Sequence, residues 1–282
     1  MGRASGFVEI IRPINCIMMG FAVIVGCIIA GGFDSIIRYA GKVALGFSTG
    51  FLLCAASMVL NDYFDREIDR YNAPHRPIPS GRVKPGEAVV YSILLAALGL
   101  VSAAFINFEC LAIAASTYAV SVLYSSVGKK TGLPGNLMVS YTVMIPLPFA
   151  GALLGQLSLK LFIFSLIIFL ANTGREITKG ITDVVGDRVK GVKTLAVLFG
   201  SKTASLCAFL FYAVSVLLSP LPYILGMAGK LYLALVLVVD AIIIDQAIRL
   251  VKKPSKETAF IVKKRILYAM LLGLIAFMLS GF

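Results

Sequence analysis

Cysteine and histidine are scarce in this 282-residue chain, and their placement argues against two common kinds of framework. The one histidine, His75, lies in a basic loop, and no cysteine is near it in the sequence. No CxxC pair and no Cys/His spacing occurs, so neither a disulfide framework nor a zinc site is expected. We interpret the thiols as small buried hydrophobic groups. They stand singly within apolar segments, at Cys16, Cys27, Cys54, Cys110 and Cys207.

Charged residues are also few: they make up 14% of the chain, whereas apolar residues make up 59%. A soluble protein of this length could not bury that much apolar surface, which indicates that lipid is the solvent. No cleavable signal peptide is expected, because the first apolar run, residues 14–30, is long enough to stay in the membrane.

Nine apolar segments have about the length that a membrane span requires. Each should be a helix, because a single segment in lipid has no other way to pair its backbone groups. The sequence therefore predicts an all-α polytopic membrane protein. The expected spans are 13–32, 43–60, 88–106, 110–124, 137–154, 159–172, 203–225, 231–248 and 266–282.

The basic residues predict the orientation of these spans. With nine spans, 22 of the 26 Lys and Arg residues fall on the side of the N-terminus, and only Arg38, Lys42, Lys160 and Lys230 fall on the other. Basic residues in short loops stay cytoplasmic, so we expect a multi-pass cell-membrane protein with its N-terminus inside and its C-terminus outside. The net charge of +12 then belongs to one membrane face, and no nucleic-acid partner is expected.

Acidic residues number only 14, and half of them stand in two tight groups at the cytoplasmic ends of the second and sixth spans. Carboxylates clustered against membrane helices are costly unless they bind something positive. The first group is Asp62, Asp65, Glu67 and Asp69, and the second is Glu176, Asp183 and Asp187.

The first group reads NDxxDxxxD and begins at Asn61. Asp62, Asp65 and Asp69 have the spacing i, i+3, i+7, which places three carboxylates along one face of a helix. Mg²⁺ would relieve their mutual repulsion, since it accepts one or two carboxylates together with water and substrate phosphates. A solvated helix end with local ion pairs is the alternative. The basic loop that follows, residues 75–82, adds arginines that match phosphate oxygens and prolines that stiffen the chain.

The second group contains Asp183 and Asp187 at the spacing i, i+4, with Glu176 and Lys179 one or two turns earlier on a similar helix face. Such a pair alone is common in surface helices. A second acidic motif at the same membrane face is a stronger indication, because two carboxylate groups can hold Mg²⁺ around one diphosphate. The repeated order of spans and motif also suggests two related four-helix halves.

These motifs resemble the UbiA superfamily of intramembrane prenyltransferases. The likeness extends over nearly the whole chain, through Arg12-Pro13-Ile14-Asn15, the HRPIPSG loop, and Lys193-Thr194-Leu195 followed by Gly200. It implies one domain, residues 1–282, with nine helices around a central lipid-open cavity. The halves would be residues 1–130 and 131–250, with a ninth helix added. The family's YxxxK element departs by one residue here, so either Lys129 or Lys130 after Tyr124 could meet diphosphate.

The run NDYFDREIDRYNAPHRPIPSGRV resembles an archaeal branch of that superfamily. This branch transfers a geranylgeranyl group from its diphosphate to the free hydroxyl of geranylgeranylglyceryl phosphate, an ether-lipid precursor. The resemblance implies the same donor, a lipid acceptor and Mg²⁺. Prenyl transfer to an aromatic acceptor, as in quinone, haem or chlorophyll synthesis, is the alternative within the superfamily. An ion-coupled transporter is the alternative outside it, but that class predicts acidic residues near mid-span, where only Asp240 is found.

Each motif residue then has an expected role. We expect Asp62, Asp65, Asp183 and Asp187 to hold Mg²⁺, and Asn61 and Asp69 to complete or orient the metal shell. Arg12 and Asn15 are candidates for the acceptor headgroup. The ring of Tyr124 could steady positive charge, and packing at the membrane interface is the alternative for this residue. Asp240 is expected to make an interhelical hydrogen bond. The candidate diphosphate ligands are Arg76, Lys129, Lys130, Lys179 and Lys190.

Overall fold

The chain folds into helices joined by short loops. The computed structural model describes residues 2–189 and 191–281, and it leaves the side chains of Ile68, Asn72 and Val189 undescribed. No strand occurs in these ranges, and two short 3₁₀ turns cover Gly128–Lys130 and Leu279–Gly281. The α-helices are α1 Arg3–Ile10, α2 Pro13–Gly31, α3 Asp34–Arg38, α4 Ala40–Asn72, α5 Pro85–Ala104, α6 Phe108–Ser126, α7 Leu133–Met144, α8 Pro146–Leu154, α9 Leu159–Thr182, α10 Val184–Val189, α11 Leu195–Leu218, α12 Leu221–Ile224, α13 Lys230–Lys252 and α14 Lys256–Met278.

Eight helical segments in the described ranges are long and apolar enough to cross a membrane. They correspond to the first eight predicted spans, so the predicted all-α polytopic class is confirmed. The ninth predicted span, 266–282, begins within α14, which has the required length but ends at Met278, and the 3₁₀ turn Leu279–Gly281 follows. Residue 282 lies outside the described residues. This helix carries Lys263, Lys264 and Arg265, and three charges within a stretch of this length lower its hydropathy. The difference between eight and nine spans therefore reflects the charged first half of α14.

The chain divides into two compact units. The first contains the residues up to Ser126 together with Phe149–Gln156, and the second contains Val127–Pro148 and the residues from Leu157 onward. In the first unit α4 packs against α2, α5 and α6. Its apolar core includes Cys16, Cys27 and Cys110, which are buried as predicted. Cys54 and Cys207, also predicted to be buried, are only partly buried.

In the second unit α9 packs against α7, α11 and α14. The close approach of α11 to α9 depends on Gly174 of α9. A Cβ atom there would lie 2.7 Å from the ring of Tyr212 of α11. The Tyr212 hydroxyl is in turn 3.0 Å from the hydroxyl of Thr178, one turn further along α9. Asn172 and Thr173 both donate to the Ser140 hydroxyl of α7, at 3.1 and 2.8 Å. Small and polar contacts therefore hold the end of α9 in place.

A buried polar group joins α11 and α13. The Asp240 carboxylate accepts a short hydrogen bond from the hydroxyl of Ser219, and the Tyr232 hydroxyl donates to the Ser219 carbonyl at 2.5 Å. Phe164 stacks on Phe277 beside Tyr232, with ring centroids 4.1 Å apart. The predicted interhelical hydrogen bond of Asp240 is confirmed, and the aspartate is satisfied within its own unit.

The loop before α7 is fixed to the loop after α10 by backbone contact. Lys193 donates its backbone N–H to the Lys130 carbonyl at 3.0 Å. Gly132 stands directly against this junction with a φ of 75°, and a Cβ atom there would lie only 2.0 Å from the Lys193 carbonyl oxygen. Glycine is therefore required at this position both by the left-handed backbone and by the close approach.

We expect Gly132→Ala to destabilise the protein more than Gly155→Ala does. Gly155 also has a positive φ, 66°, but nothing lies within 4 Å of a Cβ atom there. The left-handed backbone should cost about 1–3 kcal/mol at either position, and only Gly132→Ala must also displace the Lys193 carbonyl. Thermal unfolding of the two variants in the same detergent measures the difference. Equal melting temperatures would contradict the close approach at Gly132.

Candidate active site

The first aspartate motif lies on α4, which continues as a helix beyond the apolar segment to Asn72. The predicted helical spacing of the three carboxylates is therefore present. Asp62 and Asp69 are buried, with 4% and 6% of their surface exposed, and Asp65 is half-buried. The Asn61 side-chain amide donates to the Asp65 carboxylate at 3.3 Å. Asn61 therefore contacts one of the carboxylates that it was expected to support.

Two arginines compensate the buried carboxylates of this motif. Arg12 Nη2 donates to Asp62 Oδ1 at 2.5 Å. Arg76 Nη1 lies 2.6 Å from Asp69 Oδ2 and 3.6 Å from Asp62 Oδ1. Sequence reasoning assigned Arg12 to the acceptor headgroup and Arg76 to diphosphate, and it did not predict that both contact the aspartates.

Arg12 reaches Asp62 from a break between α1 and α2. It is the N-cap residue of α2, and its φ of 52° and ψ of 69° place it in the left-handed region. Among the described residues it is the only one other than glycine with a positive φ. Pro13 follows at the first position of α2, where its fixed φ suits a helix start. The strained backbone turns the chain so that the guanidinium group faces α4.

The loop after α4 is held at both ends. Arg76 binds back to Asp69, and Arg82 donates to Glu9 of α1 at 2.5 Å and to the His75 carbonyl at 2.6 Å. The hydrogen bond that Arg82 donates to Glu9 raises the pKa of the Arg82 guanidinium, so Arg82 stays charged. This anchoring agrees with the predicted stiffness of the loop. His75 takes part in this anchoring through its backbone carbonyl.

The second motif does not lie on one continuous helix, which corrects the sequence-based expectation. α9 ends at Thr182, Asp183 is its C-cap residue with φ −109° and ψ 6°, and α10 begins at Val184. The Asp187 N–H donates to the Asp183 carbonyl at 2.8 Å, and the Thr182 hydroxyl lies 2.9 Å from Asp183 Oδ1. The break turns Asp183 out of α9, so it no longer shares the helix face of Glu176.

Asp183 and Asp187 line one small cavity, of about 270 Å³, within the second unit. Lys256, the first residue of α14, lines the same cavity. Lys263, two turns further along α14, donates to the Thr182 hydroxyl at 3.1 Å. Sequence reasoning missed both lysines. The cluster of basic residues between the last two spans could have indicated a contact with the second motif. The cytoplasmic preference of basic residues already explained that cluster, so no contact was predicted.

Glu176 is buried between two basic residues of its own helix. Arg175 lies 3.1 Å from one carboxylate oxygen of Glu176, and Lys179 lies 3.2 Å from the other. Lys179, a predicted diphosphate ligand, therefore has an ion pair in this structure. The buried Nε of Arg175 has no hydrogen-bond partner among the described residues. Glu176 consequently acts as a counterion inside α9.

The remaining predicted ligands are placed as follows. Asn15 is exposed in the first turn of α2, and Tyr124 is half-buried near the end of α6. Lys129 and Lys130 are exposed in the 3₁₀ turn before α7, which is joined to Lys193 as described above. Lys190 lies outside the described residues.

The donor set fits Mg²⁺. Both motifs offer carboxylate oxygens, the ligands that this ion prefers. Across the described part of the chain, no three His, Cys, Asp or Glu side chains come together as a ready metal site. Mg²⁺ is usually bound through one or two carboxylates, with substrate phosphates and water supplying the other ligands.

Comparison with known proteins identifies the family. The model of the UbiA prenyltransferase family matches residues 18–279. The digeranylgeranylglyceryl phosphate synthase of Methanopyrus kandleri is 40% identical over 274 residues, which cover 97% of this chain and 98% of the relative. The synthase of the same name from Methanocaldococcus jannaschii is 38% identical over 281 residues, which cover 100% of this chain and 98% of the relative.

Solved structures have a similar fold. A structure of a digeranylgeranylglyceryl phosphate synthase has a TM-score of 0.89 and 37% identity, and covers 100% of this chain and 99% of its own. A UbiA homologue from Archaeoglobus fulgidus, solved with GPP and Mg²⁺, has a TM-score of 0.70 at 18% identity. The match covers 95% of this chain and 99% of the homologue. The second likeness shows the fold alone. Because the family match spans nearly all of the chain and the helical fold agrees, this chain belongs to the UbiA prenyltransferase family of integral membrane enzymes.

Proposed function

We propose that this chain transfers a geranylgeranyl group from geranylgeranyl diphosphate to geranylgeranylglyceryl phosphate, in the synthesis of archaeal ether lipids. The observation that carries the proposal is identity of 40% and 38%, over almost the full length of both chains, to two digeranylgeranylglyceryl phosphate synthases. The carbon–oxygen bond between the prenyl group and diphosphate breaks, an ether bond to the acceptor hydroxyl forms, and the hydroxyl proton is released.

Asp62, Asp65, Asp183 and Asp187 are the residues that would hold Mg²⁺ in this proposal. When bound, the ion would supply positive charge that stabilises the departing diphosphate. The UbiA homologues solved with Mg²⁺ and either GPP or DMAPP support the metal requirement by their common fold. Asn61 and Asp69 would orient the carboxylates. Asn61 donates to Asp65, and Asp69 shares the Arg76 guanidinium group with Asp62.

The basic side chains around each motif would bind phosphate oxygens. In the first unit these are the guanidinium groups of Arg12 and Arg76, whose planar forks match phosphate geometry. In the second unit Lys256 shares a cavity with Asp183 and Asp187, so it can reach a diphosphate that the aspartates help to bind. Lys179 is held in place by its ion pair with Glu176. Fixed charges of this kind need little rearrangement when negative charge develops on the leaving group.

The apolar helices have a chemical role of their own. A prenyl cation would be quenched by water, so a site surrounded by apolar membrane helices protects it. The acceptor's glycerol hydroxyl needs little activation to attack such a cation, and either a carboxylate or the departing diphosphate can take its proton. We further propose that the N-terminus and the loops bearing both motifs are cytoplasmic, as the distribution of basic residues favours.

The acceptor preference tests the proposal directly. With radiolabelled geranylgeranyl diphosphate as the donor, we expect turnover with geranylgeranylglyceryl phosphate and little with hydroxybenzoate or naphthoate. The reason is that an aromatic acid lacks the prenyl chain and the phosphate that the synthase acceptor carries. Preferential turnover of an aromatic acid would overturn the ether-lipid assignment and leave the family membership intact.

Removal of one motif charge should abolish catalysis without unfolding the protein. We expect Asp65→Asn and Asp187→Asn to lower kcat by about 10²–10³-fold, the scale seen when one group that stabilises transition-state charge is lost. These two are preferable to Asp62→Asn, which would leave Arg12 facing an uncharged amide in a buried position. Turnover and melting temperature, each measured across a Mg²⁺ titration, separate loss of function from loss of fold.

Glu67→Gln is the matched control, because Glu67 is on the same helix, is exposed, and pairs with Arg70 at the surface. Its turnover should stay near that of the unaltered protein. Near-normal turnover in both aspartate variants would mean that these carboxylates do not hold the catalytic metal.

Lys256 provides a test that no motif suggested. Because it lines the cavity of Asp183 and Asp187, Lys256→Gln should raise KM for geranylgeranyl diphosphate about tenfold, which corresponds to one charge-assisted hydrogen bond of about 1.5 kcal/mol. Lys253→Gln, three residues earlier and exposed, should leave KM unchanged. An equal rise in both variants would indicate a general surface-charge effect.

A further inference from the structure

A groove between α13 and α14 plays no part in the proposed reaction. Its volume is about 630 Å³, within the range of roughly 300–1,000 Å³ that sites for small molecules occupy. Apolar side chains form most of the groove, and polar side chains are grouped at one end. The apolar lining residues are Leu237, Val238, Ala241 and Ile242, and the polar ones are Asp245, Gln246 and Arg265.

The groove lies on the opposite side of α14 from the second aspartate motif. Lys263 of α14 contacts Thr182, the neighbour of Asp183. Arg265 follows two residues later, and two residues of an α-helix turn through about 200°. Arg265 instead contacts Gln246 of α13. The groove is therefore separate from the cavity that contains Asp183 and Asp187.

The polar end of the groove has a positive charge available for a ligand. Asp245 accepts from Arg249 at 2.8 Å and from Gln246 at 2.6 Å, so its charge is compensated. Arg265 lies 3.5 Å from the amide oxygen of Gln246, and within residues 2–189 and 191–281 no carboxylate forms an ion pair with it. Residues 245–265 contain seven basic and two acidic residues, which adds to the positive potential there.

We propose that this groove binds an anionic phospholipid of the surrounding membrane. One hydrocarbon chain lies along Leu237, Val238 and Ala241, and the phosphate lies against Arg265. Basic pockets between membrane helices on the cytoplasmic side are the kind of site that binds anionic lipid headgroups. Leu237 and Val238 are each 53% exposed, so the groove is open along its length. An open wall suits a lipid that stays in contact with the bilayer.

The test compares phosphatidylglycerol with phosphatidylcholine on the purified full-length protein in detergent, with binding followed by native mass spectrometry. We expect the protein to bind phosphatidylglycerol more tightly than phosphatidylcholine. Arg265→Gln should weaken phosphatidylglycerol binding about fivefold, the factor that corresponds to about 1 kcal/mol for one basic residue at an anionic surface. The same change should leave phosphatidylcholine binding unaltered. Ala241→Phe, which fills the apolar part of the groove, should weaken the binding of both lipids.

Lys202→Gln is the matched control, because it removes one exposed basic charge from α11, outside the groove. Its affinity for phosphatidylglycerol should equal that of the unaltered protein. The proposal is overturned if Arg265→Gln and Lys202→Gln weaken binding equally, or if Ala241→Phe binds both lipids normally. It is also overturned if geranylgeranylglyceryl phosphate displaces the phospholipid and Arg265→Gln raises KM for that acceptor, since the groove would then be an acceptor site. Should Arg265→Gln not fold, Ala241→Phe alone decides.

Discussion

Asp62 and Asp69 are almost fully buried near the end of a membrane helix, where a carboxylate is stable only if positive charge lies against it. Arg12 supplies that charge from the break between α1 and α2, and Arg76 supplies it from the loop after α4. Several local features serve these two contacts. The left-handed backbone at Arg12 turns one guanidinium group toward α4, and the anchoring of Arg82 keeps the other loop in place.

The second unit meets the same constraint by other means. Glu176 is buried and takes its counterions from its own helix, one residue before it and three residues after it. Asp183 has left the helix and contacts Thr182, which in turn receives a hydrogen bond from Lys263 of α14. Packing of α11 on Gly174 and of α7 on Asn172 fixes the helix end that carries this group. Distant helices therefore determine where the second motif lies.

Hydropathy and spacing were sufficient to predict the helices, the two motifs and the interhelical hydrogen bond of Asp240, because each depends on residues close together in the chain or on the cost of a charge in lipid. The ion pair between Arg12 and Asp62 spans 50 residues, and no local pattern encodes it. The helix break at Asp183 was also missed, since the i, i+4 spacing is equally compatible with a continuous helix. Lys256 was missed because the positive-inside rule explained its charge without any contact.

We propose that the arginines of the first motif meet two demands that are usually separate. As the structure has them, they neutralise buried carboxylates, and the same planar groups are those that best match phosphate oxygens. A side chain held only for stability would not need the left-handed backbone of Arg12, because a residue in an ordinary conformation could carry a counterion to α4 at lower cost. The strain is explained if the position of this guanidinium group matters for a reaction as well as for burial. The carboxylates and their arginines are then one unit, whose members can exchange partners without leaving a charge uncompensated in the membrane.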